Sequence, residues 1–116
     1  MSDQKCLFCR IVEGEVPADV VHETERVLAF RDIDPKAPVH VLVIPKRHVV
    51  SLGGAADADE GLLGEIMLAA RDVARAEGID ASGFRAVANT GGDGGQAVHH
   101  LHVHVLGGRA MTWPPG

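Results

Sequence analysis

The strongest signal in this sequence is the segment His100-Leu101-His102-Val103-His104-Val105-Leu106, near its C-terminal end. Side chains on a β-strand point alternately to opposite faces. The alternation therefore predicts a strand whose histidines share one face, about 7 Å apart, while its Leu and Val side chains pack into a core. Three imidazoles on one face favour a site for a metal ion or a phosphoryl group over a structural surface.

Outward from this segment, apolar periodicity predicts four further strands and two helices. The strands fall at residues 20–23, 27–31, 39–45 and 84–89, the long helix at 57–78 and a short helix at 6–13. Connections of hairpin length between the strands indicate antiparallel pairing, with the long helix covering one face of the sheet. The sequence thus predicts a single α+β domain over residues 1–116.

Composition and charge narrow the classes of function. The 116 residues carry a net charge of −5 and contain no basic block, which argues against a nucleic-acid partner. No apolar run approaches the ~20 residues of a membrane span, and residues 1–5 lack the pattern of a signal peptide. We therefore expect a cytoplasmic protein. Its two cysteines, Cys6 and Cys9, form a Cys-x-x-Cys pair that suggests metal or redox chemistry.

Two chemistries compete for the three histidines. They could ligate a metal ion that activates water, or one imidazole could act as a nucleophile whose charge and tautomer the others set. No carboxylate follows in the strand to complete a facial metal triad, and the Cys-x-x-Cys pair offers better zinc ligands. These points favour nucleophilic attack on phosphorus. The glycine-rich segment 91–95 is predicted to be a flexible loop whose backbone N–H groups can approach an anion.

The histidine segment resembles the motif of the histidine-triad (HIT) family, and further segments resemble its Hint branch of purine nucleoside phosphoramidases. The resemblance covers nearly the whole chain. It rests on Phe8, Ile11, Pro17, Phe30-Arg31-Asp32-Ile33, on residues 42–48 (LVIPKRH) and 89–96 (NTGGDGGQ), and on the terminal segment 106–116 (LGGRAMTWPPG).

This resemblance implies a HIT-like fold with a five-stranded antiparallel sheet, one long and one short helix, and a ten-stranded sheet across a homodimer. It implies hydrolysis of the P–N bond in purine nucleoside 5′-phosphoramidates, which are conjugates of AMP or GMP with an amine. The reaction would pass through a nucleotidyl-histidine and require no catalytic metal. Two alternatives remain open: a nucleotide-binding or regulatory module with little turnover, and a zinc-dependent hydrolase that uses the triad as ligands.

The resemblance also implies roles for single residues. His102 would be the nucleophile, with His100 and His104 flanking it and His40 orienting it. Asp32 would accept hydrogen bonds from the ribose hydroxyls, and the purine would lie in an apolar slot. The implied nucleotide-binding residues are Phe8, Ile11, Asp32, Ile33, Leu42, Asn89, Gln96, Val98 and His104.

A second implied site is a structural zinc ion held by Cys6, Cys9, His48 and His100, a standard tetrahedral set of two thiolates and two imidazoles. The chain also departs from the Hint pattern at Ala97, where a serine is usual. Since that hydroxyl is thought to assist the leaving group, its absence bears on leaving-group chemistry.

Overall fold

The computed structural model describes residues 5–116, so most of the stretch used above to argue against a signal peptide lies outside the described residues. The elements follow in chain order: α1 (Leu7–Val12), β1 (Val20–Glu23), β2 (Val27–Arg31), β3 (Val39–Pro45), α2 (Glu60–Ala76) after a 3-10 turn at Asp57–Asp59, β4 (Phe84–Ala88), a short helical turn α3 (Gly91–Gly94) and β5 (Val103–Gly107). None of the helices within residues 5–116 is long and apolar enough to cross a membrane.

The strands form one antiparallel sheet in the order β1-β2-β3-β5-β4. This arrangement confirms the predicted α+β class and the five-stranded sheet. β3 lies at the centre because its residues 39–45 are almost all β-branched or leucine, which suits a strand buried on both faces. The register places Leu42 of β3 beside His104 of β5, and His40 beside Leu106.

The two faces of the sheet carry separate cores. On one face, α2 packs its buried stripe, which includes Leu62, Ile66 and Val73, against Val41, Val105 and neighbouring residues. On the other face, a smaller cluster brings together Phe8, Leu28, Phe30, Leu42 and Ile44. The alternation along β5 therefore separates a helix-covered core from the face that carries the histidines, as the sequence predicts.

The predicted strand at 100–106 is too long at its start. β5 begins only at Val103, so His100 and His102 precede it. The ladder stops opposite the end of β3 because Pro45 has no N–H to donate and its carbonyl oxygen is taken by the His100 ring. The alternation nevertheless persists, since Leu101 is buried in the helix-side core and its N–H donates to the Val49 carbonyl at 2.6 Å.

The segment predicted as a flexible glycine loop is an ordered turn. Residues 91–94 form the helical turn α3, which Gly95 ends at a φ of +80° that favours glycine. The Gln96 side chain then closes the turn. Its Oε1 accepts from the Gly91 N–H at 3.0 Å, and its Nε2 donates to the carbonyls of Val50 and Val98 at 2.7 and 3.0 Å.

Candidate functional site

A cavity of about 280 Å³ opens on the histidine face of the sheet. Its size is near the lower end of small-molecule sites, about 300 Å³. Its walls are mostly apolar, and the polar lining residues are two histidines, one aspartate and one arginine. The lining residues are Leu7, Phe8, Ile11, Val16, Pro17, Ala18, Phe30, Arg31, Asp32, Ile33, Leu42, Ala97, Val98, His102 and His104. Such a mixture fits a flat apolar ligand with one polar end.

The backbone fixes the tautomer of His102. Its Nδ1 lies 2.7 Å from the carbonyl oxygen of His100, which can only accept, so Nδ1 carries the proton and donates it. The remaining nitrogen, Nε2, then has a free lone pair. Phe8 packs edge-on against the ring, with centroids 5.2 Å apart at 90°, and this contact limits its rotation. His102 thus presents an unprotonated nitrogen from a fixed ring in the cavity lining.

His40 and His104 form a second hydrogen-bonded unit beside it. The backbone N–H of Lys36 donates to Nδ1 of His40 at 3.0 Å, so the proton of the neutral His40 ring resides on Nε2. That Nε2 lies 2.9 Å from Nδ1 of His104 and donates to it. Nδ1 of His104 is therefore an acceptor, and its Nε2 carries a proton. His104 contributes a hydrogen-bond donor to the cavity, in contrast to the acceptor on His102.

Burial keeps these rings neutral at neutral pH. It lowers the pKa of His104 to about 4, and His102 and His40 act in the same direction. Burial also lowers the pKa of His40, although the nearby carboxylate of Asp32 opposes that shift. For His100 the pKa is lowered to about 4, again chiefly by burial. A neutral His104 retains the Nδ1 lone pair that accepts from His40, and a neutral His100 retains the Nδ1 lone pair that ligation requires.

A separate cluster lies behind the cavity, where α1 meets the end of β3. Nδ1 of His100 lies 3.3 Å from Sγ of Cys6, 3.5 Å from Sγ of Cys9 and 3.2 Å from Nδ1 of His48. Sγ of Cys9 is also 3.3 Å from Nδ1 of His48. Tetrahedral coordination with zinc bond lengths requires donor separations of about 3.3 to 3.8 Å. The four side chains therefore have the donor types and nearly the spacing of a tetrahedral metal site.

The tautomer of His100 agrees with this arrangement. Its Nε2 donates to the Pro45 carbonyl at 2.8 Å, which leaves the lone pair on Nδ1 directed at the two sulfurs and His48. A ligating histidine commonly donates its other ring N–H to a backbone carbonyl in this way. The cluster is the set predicted for zinc from the sequence, and the fold brings all four members together.

Asp32, His40 and His104 also place ligand-type atoms within 4.8 Å of one another. Their protons argue against a metal site there, because Nε2 of His40 carries a hydrogen and cannot donate a lone pair. Asp32 Oδ2 lies 3.4 Å from that Nε2, and its Oδ1 accepts from the Asp34 N–H at 2.8 Å. These contacts make the group a hydrogen-bonded chain. They also weigh against the alternative in which the triad histidines ligate a catalytic zinc.

Most of the predicted nucleotide-binding residues share the cavity. Seven of the predicted residues line it: Phe8, Ile11, Asp32, Ile33, Leu42, Val98 and His104. Asn89 instead lines a neighbouring cavity with Arg85 and Arg109, and the side chain of Gln96 closes the α3 turn. Their contact with a nucleotide stays a prediction. Four lining residues, Leu7, Val16, Ala18 and Arg31, were not predicted for the pocket. They lie at the ends of α1 and β2 or in the segment between α1 and β1, and their positions at the cavity depend on the whole fold.

Residues 13–111 match the family model of the HIT domain. The chain belongs to the HIT domain family. An uncharacterized HIT-like protein of Synechococcus elongatus is 49% identical over 110 residues, which cover 95% of this chain and 96% of that protein.

Solved structures agree with this assignment. The HIT family hydrolase from Legionella pneumophila superposes with a TM-score of 0.93 at 52% identity, covering 96% of this chain and 99% of that one. A histidine triad protein from Clostridium difficile superposes with a TM-score of 0.93 at 43% identity, covering 97% of both chains. This HIT domain therefore has the fold of family members named as hydrolases.

Proposed function

We propose that this HIT domain is a purine nucleoside phosphoramidase of the Hint type. The substrates are AMP or GMP joined through phosphorus to an amine, and hydrolysis of the P–N bond passes through a nucleotidyl-histidine on His102. The observation that carries the proposal is the hydrogen bond from Nδ1 of His102 to the His100 carbonyl, 2.7 Å long, because it leaves Nε2 free beside an apolar cavity.

The first chemical step forms a bond between Nε2 of His102 and the α-phosphorus while the P–N bond to the amine breaks. The departing nitrogen keeps the bonding electron pair and takes up a proton from solvent water, so a neutral amine leaves. The Nε2–H of His104 offers a hydrogen bond to the phosphate oxygens in this step. In the second step water attacks phosphorus and gives a proton back to the solvent, while the P–Nε2 bond breaks, AMP or GMP departs and His102 recovers its lone pair.

The cavity supports a purine nucleoside as the bound portion. Phe8, Ile11, Phe30 and Leu42 supply apolar walls for a planar base. Asp32, at the end of β2, offers a carboxylate that can accept from two neighbouring ribose hydroxyls. Because the net charge is −5, the phosphate has to be held locally by neutral donors such as His104 rather than by a general positive field.

Ala97 lines the same cavity and bears on the rate of the first step. A methyl group cannot donate a proton or a hydrogen bond to the departing amine. This absence keeps the second candidate function open, in which the domain binds nucleotides with little turnover. The two functions differ only in rate, because they share the same pocket.

We further propose that Cys6, Cys9, His48 and His100 hold a structural zinc ion. Zinc would fix α1 against the end of β3 and hold the ring of His100 in place. It would supply no chemistry to the reaction, since the two sulfurs and two nitrogens complete a tetrahedral set. Two cysteines that ligate zinc have to stay reduced, and a reducing compartment such as the cytoplasm would meet that requirement.

The proposed homodimer draws support from an apolar residue at one edge of the sheet. β4 is an edge strand, and Phe84 on it is 38% exposed. A second copy that covers this region would extend the sheet to ten strands. Analytical ultracentrifugation at micromolar concentration tests this point, and a monomer would overturn it.

Turnover of adenosine 5′-phosphoramidate in the presence of excess chelator tests the proposed function. We expect AMP and ammonia as products at a rate that the chelator leaves unchanged over the first turnovers. Binding of AMP without detectable turnover would favour the binding module. Turnover that stops with the chelator and returns with added metal would favour a metal-dependent hydrolase.

A further inference from the structure

An ionic clamp lies behind the wall of the cavity that carries Asp32. Its centre is Arg31, the last residue of β2. The guanidinium donates through Nη1 to Oε1 of Glu77 at 2.5 Å and through Nη2 to Oε2 at 3.1 Å. Its Nε lies 3.3 Å from Oδ2 of Asp19. Arg31 therefore joins the end of α2 to the segment that precedes β1.

Glu77 is the fixed end of this clamp. It follows the last residue of α2, and its backbone N–H donates to the Val73 carbonyl at 2.9 Å. Its side chain is only 16% exposed, so solvent and salt screen this ion pair less than a fully exposed one. Because both carboxylate oxygens engage the guanidinium, the pair defines an orientation as well as a distance.

The clamp connects directly to two walls of the cavity. Arg31 immediately precedes Asp32, whose backbone N–H donates to the His40 carbonyl at 3.0 Å. On the other side, the backbone N–H of Arg31 donates to the Asp19 carbonyl at 2.9 Å, and Asp19 follows Pro17 and Ala18. Both segments line the cavity. A change in the position of Arg31 is therefore passed most directly to the next residue, Asp32, and to its carboxylate.

We propose that Glu77, acting through Arg31, is a positioning residue that places the Asp32 carboxylate for the ribose hydroxyls. This inference rests on the proposed function, because it requires a nucleoside monophosphate in the cavity. It extends the site to the end of α2, on the opposite side of the sheet from the histidines. Glu77 touches neither the nucleotide nor the reacting atoms, so its effect is confined to binding.

A second ion pair on the same helix provides a matched control. Arg26, just before β2, contacts Glu65 of α2 through Nε at 3.2 Å and through Nη2 at 2.6 Å. This pair also ties a β2 flank to α2, but neither residue lines the cavity with the histidines. Loss of either pair weakens the docking of α2 on the sheet. Only loss of the Glu77 pair is expected to alter the nucleotide site.

The experiment measures equilibrium binding of AMP and of 2′,3′-dideoxy-AMP to the full chain by calorimetry. The wild type, Glu77→Gln, Arg31→Lys and the control Glu65→Gln are compared. Wild-type protein should prefer AMP, because only AMP offers hydroxyls to Asp32. In Glu77→Gln and Arg31→Lys we expect AMP affinity to fall roughly three- to tenfold. This loss is only a part of what complete removal of one charge-assisted hydrogen bond would cost. Affinity for the dideoxy compound should change less than twofold.

Kinetics provide a second readout. In Glu77→Gln, KM for adenosine 5′-phosphoramidate should rise by the same factor while kcat stays within twofold of wild type. Glu65→Gln should retain the wild-type preference for AMP. If Glu77→Gln and Arg31→Lys also retain that preference, the positioning role is wrong while the proposed function stands. If wild-type protein binds neither nucleotide, both the proposed function and this inference are overturned.

Discussion

His100 and His102 are two residues apart, yet the backbone engages opposite nitrogens of their rings. His100 donates from Nε2 to Pro45, which leaves the Nδ1 lone pair facing two cysteines and His48. His102 donates from Nδ1 to His100, which leaves the Nε2 lone pair in the lining of the cavity. The first cluster is closed, with four converging donors, and the second is open to a ligand. Residue type alone therefore does not set the role of a histidine.

The carbonyl of His100 also links the two regions. The same residue places its ring in the metal-type cluster and its backbone oxygen on the ring of the proposed nucleophile. Phe8 lies between Cys6 and Cys9 in sequence and packs against the rings of both His100 and His102. We infer that the closed cluster supports the geometry of the open one. Substitutions in the two regions should therefore differ in what the protein loses.

The largest effect is expected in the open region. His102→Ala should reduce turnover of adenosine 5′-phosphoramidate by a factor on the order of 10⁴ or more, because it removes the attacking atom. AMP affinity should change little, since the walls and Asp32 remain. Steady-state kinetics and calorimetry give both values. His99→Ala, at an exposed neighbouring histidine, is the control. If His102→Ala retained turnover within tenfold of wild type, activated water and not His102 would be the attacking group.

Disruption of the closed cluster should lower the free energy of unfolding more than it lowers kcat. Elemental analysis should find about one zinc per chain, and Cys6→Ser combined with Cys9→Ser should abolish it. The free energy of unfolding should fall by roughly 3 kcal/mol or more, because metal binding contributes directly to folding. In the folded fraction, kcat should fall far less than in His102→Ala. Protein that contains no metal after purification without chelators would contradict the zinc assignment.

A smaller effect, this time an increase in turnover, is expected at Ala97, where the open region departs from the Hint pattern. Ala97→Ser should raise turnover of substrates with poor amine leaving groups by up to roughly 10²-fold, because a hydroxyl can donate to the departing nitrogen. Substrates with good leaving groups should gain little. Ala110→Ser, in the exposed terminal segment, is the matched control. Equal or slower rates on both substrate classes would show that another group limits departure of the amine.

The smallest expected effect is a pH dependence of stability. The pKa of His104 falls from 6.5 to about 4 on folding, so the unfolded chain binds more protons between these values. Stability should therefore be fully present above about pH 6.5 and decline as the pH falls towards 4. Because the His104 ring is only half-buried, solvent screening reduces this contribution, and the decline should be a small part of the free energy of unfolding.

Urea unfolding of metal-free protein at a series of pH values measures this dependence. Metal-free samples prevent acid release of zinc from adding to the slope. His104→Gln keeps an acceptor for His40 but does not titrate, so its stability should decline less steeply with falling pH. Identical pH profiles for His104→Gln and the wild type would mean that burial of His104 contributes nothing to acid sensitivity.

Local patterns were sufficient to predict most of the sheet. The bounds of β1, β2 and β3 follow from short, mostly apolar runs separated by polar or proline-containing turns, and Gly78, at a φ of +74°, ends the long helix region as predicted. The start of β5 was placed three residues early, because the limit depends on Pro45 of a different strand. The glycine segment, predicted as a flexible loop, forms a helical turn instead, and Gln96 closes it through a contact with Val50 that no local pattern contains.

The geometry of the candidate site was harder to predict from the sequence, because it too depends on contacts between segments that are distant in the chain. The spacing of the three histidines indicated attack on phosphorus. The family resemblance implied the four zinc ligands and the contact of Asp32 with the ribose. The tautomers, however, follow from carbonyls and N–H groups of other segments, such as Pro45 and Lys36. The role inferred for Glu77 depends on α2 ending beside β2, which becomes visible only after the sheet and helix are packed.

The most direct test of the central claim is to locate the covalent intermediate. Protein mixed with excess adenosine 5′-phosphoramidate is quenched within one turnover under alkaline conditions, digested and mapped by mass spectrometry. We expect an adenylyl group on His102, attached through Nε2, in the wild type and in protein with the cysteine cluster emptied by chelator. An adduct on His100 or His104, or steady hydrolysis with no adduct on any histidine, would contradict it.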